Sequence, residues 1–160
     1  MILIAAASQN WGIGKDGKLL FSIPSDMKFF RETTSGAAVI MGRKTLDSFP
    51  GGKPLKNRVN IVLTNDKSFS REGAVVCHTK GEALEKAAAY DRVFVIGGEA
   101  IYSLFLDQCD TAYITKVSEF ADADKFLPNL DELPGWHMES QSEPISENGH
   151  TFTFCTYRKD

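Results

Sequence analysis

The chain has 160 residues, 42% of them hydrophobic and 24% charged, which suits one domain with a sizeable core. A net charge of −3 gives no bulk attraction to nucleic acid or an anionic membrane surface, no apolar run approaches membrane-spanning length, and the opening MILIAAAS lacks the basic region and length of a secretion signal. Three cysteines (Cys77, Cys109, Cys155) and three histidines (His78, His137, His150) are scattered, which offers neither a disulfide framework nor metal-ligand spacing and predicts a reducing, cytoplasmic setting with no metal.

In chain order, residues 2–7 (ILIAAA) are apolar on both faces and read as a buried strand. The segment 8–24, SQNWGIGKDGKLLFSIP, has glycines at 12, 14 and 17. A connection this long, without structure of its own, reads as a functional lid or as a loosely ordered link. A helix is expected over 25–34. At about 100° per residue, Asp26 falls in the apolar arc with Met27, Phe29, Phe30, Thr33 and Thr34, and Lys28, Arg31 and Glu32 lie opposite. A first-turn acid offsets the helix dipole wherever it points. A buried one carries a desolvation cost and a raised pKa unless a cation or donor meets it, and a ligand with paired N–H donors would suit it.

AAVIM (37–41) is the next buried strand. It runs into Gly42 and then Arg43, Lys44 and Thr45 at a helix start, either a phosphate site or a turn glycine followed by solvated charges. Arg58 precedes the strand VNIVL (59–63), as a carboxylate clamp or a solvated strand-entry charge. AVVC (74–77), a helix over GEALEKAAAY (81–90) and the strand RVFVI (92–96) follow. The last strand ends in Gly97 and Gly98, and a helix over 98–106 begins at once. Paired glycines let a diphosphate approach backbone N–H groups, although tight strand–helix packing asks for the same residues. Two such turns in one small sheet favour a dinucleotide site more than either alone. TAYITKV (111–117) adds a strand, and WHMESQS and HTFTFCTYR flank the turn dipeptide Asn148-Gly149 as an antiparallel pair closing one edge. The pattern predicts one α/β domain over 1–160: a single, mostly parallel, wound sheet flanked by helices, with an antiparallel C-terminal strand and ligands beyond the carboxyl ends of the strands.

Taken in order, IAAAS, GIG, IPSDMKFF, VIMGRKT, NIVLT, VFVIGGEAIY, YITKV and FTFCTYR resemble the dihydrofolate reductase family of the chromosomal bacterial type, over essentially the whole chain. The resemblance implies NADPH-dependent reduction of 7,8-dihydrofolate to 5,6,7,8-tetrahydrofolate, with hydride delivered to C6 and a proton to N5. It implies that Asp26 accepts hydrogen bonds from the pterin 2-amino group and N3 while solvent supplies the N5 proton, with Phe21 beside it in the catalytic region. Ile4, Ala5, Met27, Phe30, Phe49, Leu55 and Ile96 match pocket walls, Thr115 the acid's hydroxyl partner, and Arg58 the clamp on the glutamate α-carboxylate. Ala6, Ile13 and Gly14 match positions near the nicotinamide. Gly97, Gly98, Glu99, Ala100, Ile101 and Tyr102 match the diphosphate and nicotinamide side. Gly42, Arg43, Lys44, Thr45, Leu63, Thr64 and His78 match the adenosine 2′-phosphate end, and the loop 8–23 matches a mobile lid with Asp124 as its partner. The implied partners are dihydrofolate and NADPH, bound by a monomer with neither nucleic acid nor membrane.

Three positions depart from the family pattern. Leu20-Phe21 stands where Pro-Trp is usual, and Phe21 has no donor to anchor a water near the acid. Ala100 stands where some relatives carry an arginine, and FPGGKPLKNR is slightly longer than usual before Arg58. Two other readings are a pteridine or pyrimidine reductase of the same fold and a non-catalytic nucleotide-binding module. The Asp26 helix with Thr115 favours the folate reading over the first, and the buried acid argues against the second.

Overall fold

The computed structural model describes all of residues 1–160. The doubly apolar runs form the parallel part of the sheet: β1 (Ile2–Ala7), β4 (Ala38–Gly42), β5 (Val59–Leu63), β6 (Ala74–Cys77) and β7 (Val93–Gly97), with β8 (Thr111–Val117) parallel to β1. The expectation that 74–77 is buried on both faces is corrected: β6 is an edge strand with a neighbour on one side only, and Cys77 alone is buried in it. Strand β12 (His150–Lys159) lies antiparallel between β8 and β10 (Trp136–Gln141), and the order is β10–β12–β8–β1–β7–β4–β5–β6. A short β11 (Ile145–Glu147) also pairs with β12. Between these two, Asn148 at φ 52° and Gly149 at φ 77° make a two-residue turn that needs left-handed backbone twice, a role suited to Asn-Gly.

Side chains alternate across each strand and so feed two cores. Leu3, Ala38, Ile40, Ile61 and Val95 face α3 (Lys80–Ala87) and α4 (Glu99–Phe105) in the larger one. Ile4, Val39, Met41, Val62 and Phe94 face α1 (Pro24–Thr34) and α2 (Arg43–Ser48), with Phe29 and Phe30 packed against them. Both helices of the second face follow strand ends or the lid, which carries their first turns to the carboxyl edge of the sheet.

The expectation that 8–24 has no structure of its own is corrected. It contains β2 (Gly12–Lys15) and β3 (Lys18–Leu19), which pair with each other and with β9 (Lys125–Phe126) as a separate three-stranded sheet. The β2–β3 hairpin turns on Asp16 (φ 51°) and Gly17 (φ 77°), a dipeptide suited to a two-residue turn, whereas β9 comes from over 100 residues later and leaves no local sign. Gly12 is fixed there by space, since a Cβ would sit 2.6 Å from the Ala123 Cβ and 2.9 Å from the Ser8 hydroxyl oxygen.

Candidate active site

The first turn of α1 projects Asp26 toward β8. Thr115, 2% exposed and opposite Ala6 of β1 in register, donates its hydroxyl to Asp26 Oδ1 at 2.6 Å. Burial raises the pKa of Asp26, and the Thr115 bond offsets part of that rise. The acid is thus desolvated and met by one hydroxyl, with no cation beside it. Such a carboxylate has acceptor capacity left for a ligand's N–H groups. Deeper in the cleft wall, the Tyr102 hydroxyl donates to the Ile4 carbonyl at 2.8 Å, and burial with the nearby Asp26 charge raises its pKa.

The apolar residues expected around the acid gather in large part. Ile4, Phe30, Phe49, Leu55 and Ile96 belong to one cluster on the α1 face of the sheet, while Ala5 packs against the other core. Met27 departs from the helical arc: it is 55% exposed, with its sulfur 3.8 Å from the Ser22 hydroxyl. The arc covers more than the sheet can bury, so Met27 sits on its rim. Phe21 sits edge-on to the His150 ring at 5.3 Å and packs against Ile23, Val117 and Phe152.

Arg58 sits partly buried at the far end of α1. Its Nη1 donates to the Thr34 hydroxyl at 3.1 Å and its Nε to the Lys56 carbonyl at 2.8 Å. Burial and the neighbouring Arg31 lower its pKa. Neither arginine has a carboxylate within ion-pair distance, so an acidic ligand would meet two unpaired cations.

The two glycine turns meet at α4. A Cβ on Gly42 would lie 3.2 Å from Ile101, and one on Gly97, whose φ is 120°, would press on the Tyr102 ring at 3.2 Å. Gly98 opens onto space, with nothing within 4 Å of a Cβ there. The peptide between Gly97 and Gly98 is cis. Glu99, the first residue of α4, accepts from the Phe126 N–H at 2.8 Å and so ties the helix to the lid sheet. Ala100 is exposed, while Ile101 is buried.

At the outer strands, His78 Nδ1 lies 2.9 Å from the Thr64 carbonyl, and Leu63 ends β5 just before it. Arg43 does not stand free. Its Nη1 bonds Asp66 at 3.0 Å, its Nε lies 3.5 Å from Asp47, and its guanidinium covers the Phe69 ring at 4.4 Å. Lys44 is exposed, and the Thr45 carbonyl accepts from the Ser48 hydroxyl. Ile13 and Gly14 are buried in the lid. Asp124 grips the lid from outside: its carboxylate accepts from the Asp16 N–H and its own N–H donates to the Gly14 carbonyl, both at 3.0 Å.

Sequence reading missed Asp66, Ser25 and Glu147. Asp66 was visible only as an acid just past Thr64, and the Ser25–Glu147 contact spans 122 residues and leaves no local signal.

The wound sheet, its two glycine turns at α2 and α4, and an acid on the helix after the first strand define the dihydrofolate reductase-like class of α/β fold. The dihydrofolate reductase family model matches residues 1–159, and the chain belongs to that family. It is 42% identical to the bifunctional dihydrofolate reductase-thymidylate synthase of Daucus carota over 97% of this chain, but spans only 33% of that protein. The other first-matching plant relatives are equally long, so the chain spans about a third of each. It is 34% identical to the dihydrofolate reductase of Bacillus subtilis, covering 98% of this chain and 92% of that one. The solved dihydrofolate reductase from Enterococcus faecalis, complexed with NADP(H) and RAB-propyl, superposes with a TM-score of 0.88 at 32% identity, covering 99% and 95% of the two chains.

Proposed function

We propose that this chain reduces 7,8-dihydrofolate to 5,6,7,8-tetrahydrofolate with NADPH, and that Asp26 is its catalytic acid residue. The observation that carries this reading is a raised-pKa carboxylate, bonded to Thr115, within an apolar cluster at the carboxyl edge of the sheet. Asp26 takes the pterin 2-amino group and N3 as a two-donor fork, and Thr115 holds the second direction of approach. Ile4, Phe30, Phe49, Leu55 and Ile96 exclude water from the ring, and Met27 covers its rim. Excluding water strengthens the carboxylate's hold and favours the protonated, electrophilic pterin. Asp26 acts on the edge of the ring away from N5, so solvent delivers that proton. Arg58, with Arg31 beside it, holds the glutamate α-carboxylate.

Bound NADPH supplies the hydride. The chain's own residues fit it: open space at Gly98 admits a diphosphate, and Ala6, Ile13 and Gly14 border the nicotinamide end. Arg43, Lys44, Thr64 and His78 would hold its 2′-phosphate, with Arg43 turning from Asp66 toward it. Phe21 acts by shape, closing the lid exit against His150. The enzyme works as a monomer in a reducing cytoplasm, which suits three buried thiols.

The test is dihydrofolate-dependent oxidation of NADPH by the purified chain, in wild type and Asp26→Asn. Turnover by wild type and a loss of about a hundredfold or more in the variant is the expected result. A wild type that ignores dihydrofolate, or a variant within about threefold at neutral pH, refutes the reading.

A further inference from the structure

Helix α1 has no cap of its own. Its N-cap is Ile23, whose side chain accepts nothing, and Pro24 at the first position has no N–H. The first free donor is therefore Ser25. It is met from the β11–β12 turn, 122 residues away: Ser25 donates its N–H to one Glu147 oxygen at 2.8 Å and its hydroxyl to the other at 2.5 Å. These bonds hold the Glu147 carboxyl below the usual carboxylate range. The residue after Ser25 is Asp26.

The same hairpin touches the lid exit directly and reaches its entrance through Glu119. His150 lies edge-on to Phe21 at the lid exit, and its Nδ1 sits 2.9 Å from Glu119. The Glu119 carbonyl accepts from the Gln9 N–H at the lid entrance, at 2.8 Å. Glu147 is thus the point at which this junction reaches the acid's helix.

We propose that Glu147 is a positioning residue for Asp26. By closing on Ser25 it fixes the first turn of α1, and so the direction from which the acid meets both Thr115 and the pterin. This role rests on the function proposed above and adds to it a residue that touches neither substrate nor cofactor.

Two variants separate positioning from general support. Glu147→Ala removes both bonds. Glu147→Gln keeps both, because its amide oxygen accepts from the Ser25 N–H and its amide nitrogen donates to the Ser25 hydroxyl oxygen. The measurements are kcat and KM for dihydrofolate, NADPH affinity by fluorescence, and a thermal melt. Glu147→Ala is expected to lower kcat/KM for dihydrofolate by about tenfold, since small misplacements of a reacting group are costly. NADPH affinity should stay within about twofold, and Glu147→Gln should recover most of the loss. A folded Glu147→Ala within about twofold of wild type, a Gln variant as damaged as the Ala one, or an equal loss of NADPH binding would each overturn the role. If Glu147→Ala does not fold, Ser25→Ala, which loses only the hydroxyl bond, carries the test. Its kcat/KM must fall while NADPH binding holds, and wild-type behaviour overturns the role. A wild type inactive on dihydrofolate fails the function itself and this role with it. An active wild type beside an unaffected alanine variant fails this role alone.

Discussion

At the scale of single residues, Asp26 links stability to pH with a definite sign. Its folded pKa is raised, chiefly by burial. Below the ordinary aspartate value, about 3.9, folded and unfolded chains both carry the proton and the site costs nothing. Above it the unfolded chain ionises first, so stability falls with pH until the folded pKa is passed. Asp26→Asn cannot titrate. Its melting temperature should therefore exceed that of wild type by a margin that is negligible in acid, grows as pH rises above about 4, and levels off once the folded pKa of Asp26 is passed. A constant margin would mean the carboxyl is not perturbed. Arg43 carries a second residue-scale prediction. Deleting it removes a charge-assisted contact of about 1.5–3 kcal/mol. It also leaves Asp66 and Asp47 without the Arg43 guanidinium, so their charges would repel the proposed 2′-phosphate. Arg43→Ala should raise the KM for NADPH by about tenfold or more, and leave that for NADH nearly unchanged. Equal losses with both cofactors would remove Arg43 from the 2′-phosphate site.

At the scale of elements, the bonds that hold the β2–β3–β9 sheet give a test of the proposed lid. The Asp124 carboxylate accepts the Asp16 N–H, while Gly14 receives the Asp124 N–H. Asp124→Ala removes the first bond and keeps the second. The lid should then sample open forms more often, with hydride transfer slower by about tenfold and NADPH released faster in stopped-flow. Unchanged release would mean that β2–β9 pairing alone holds the lid. Elements also mark where sequence reading stops. Strands β1, β4, β5, β6, β7 and β8 were legible as short, mostly apolar runs between helical patterns, and Asp26 was legible because it interrupts an apolar arc. Strands β2, β3 and β9 were not: two to four residues are too short to show a period, the Asp16-Gly17 turn between β2 and β3 was passed over, and β9 pairs across more than 100 positions. Met27 was misplaced for a related reason: the helical wheel gives direction but not the reach of the surface it meets. Arg43 was read as a free cation because Asp66 comes to it only through the fold, although Asp47 is its i+4 neighbour on α2.

At the scale of the whole molecule, the sheet separates two cores, and the site stands on the smaller. Phe94, 1% exposed, packs there with Ile4, Val39 and Met41. Phe94→Ala should cost about 3–5 kcal/mol. In a domain of this size that lowers the melting temperature by about 10 °C. Saturating NADPH should recover part of the loss, about 2.7 kcal/mol at a hundredfold excess over its dissociation constant. Failure of NADPH to raise the melting point would mean that the folded chain does not bind it.

The place of β12 also governs the order in which the molecule can be made. The strand that runs between β8 and β10 spans residues 150–159, so every strand from β1 to β8 emerges from the ribosome before it. During that interval β8 presents an unpaired hydrogen-bonding edge, and β10 has no neighbour at all. Nascent chains of this protein therefore pass through a stage with an open, apolar sheet margin, the kind of surface on which chains pair with one another. Slowing translation of residues 150–159 should therefore raise the insoluble fraction without altering the stability of the chains that escape it.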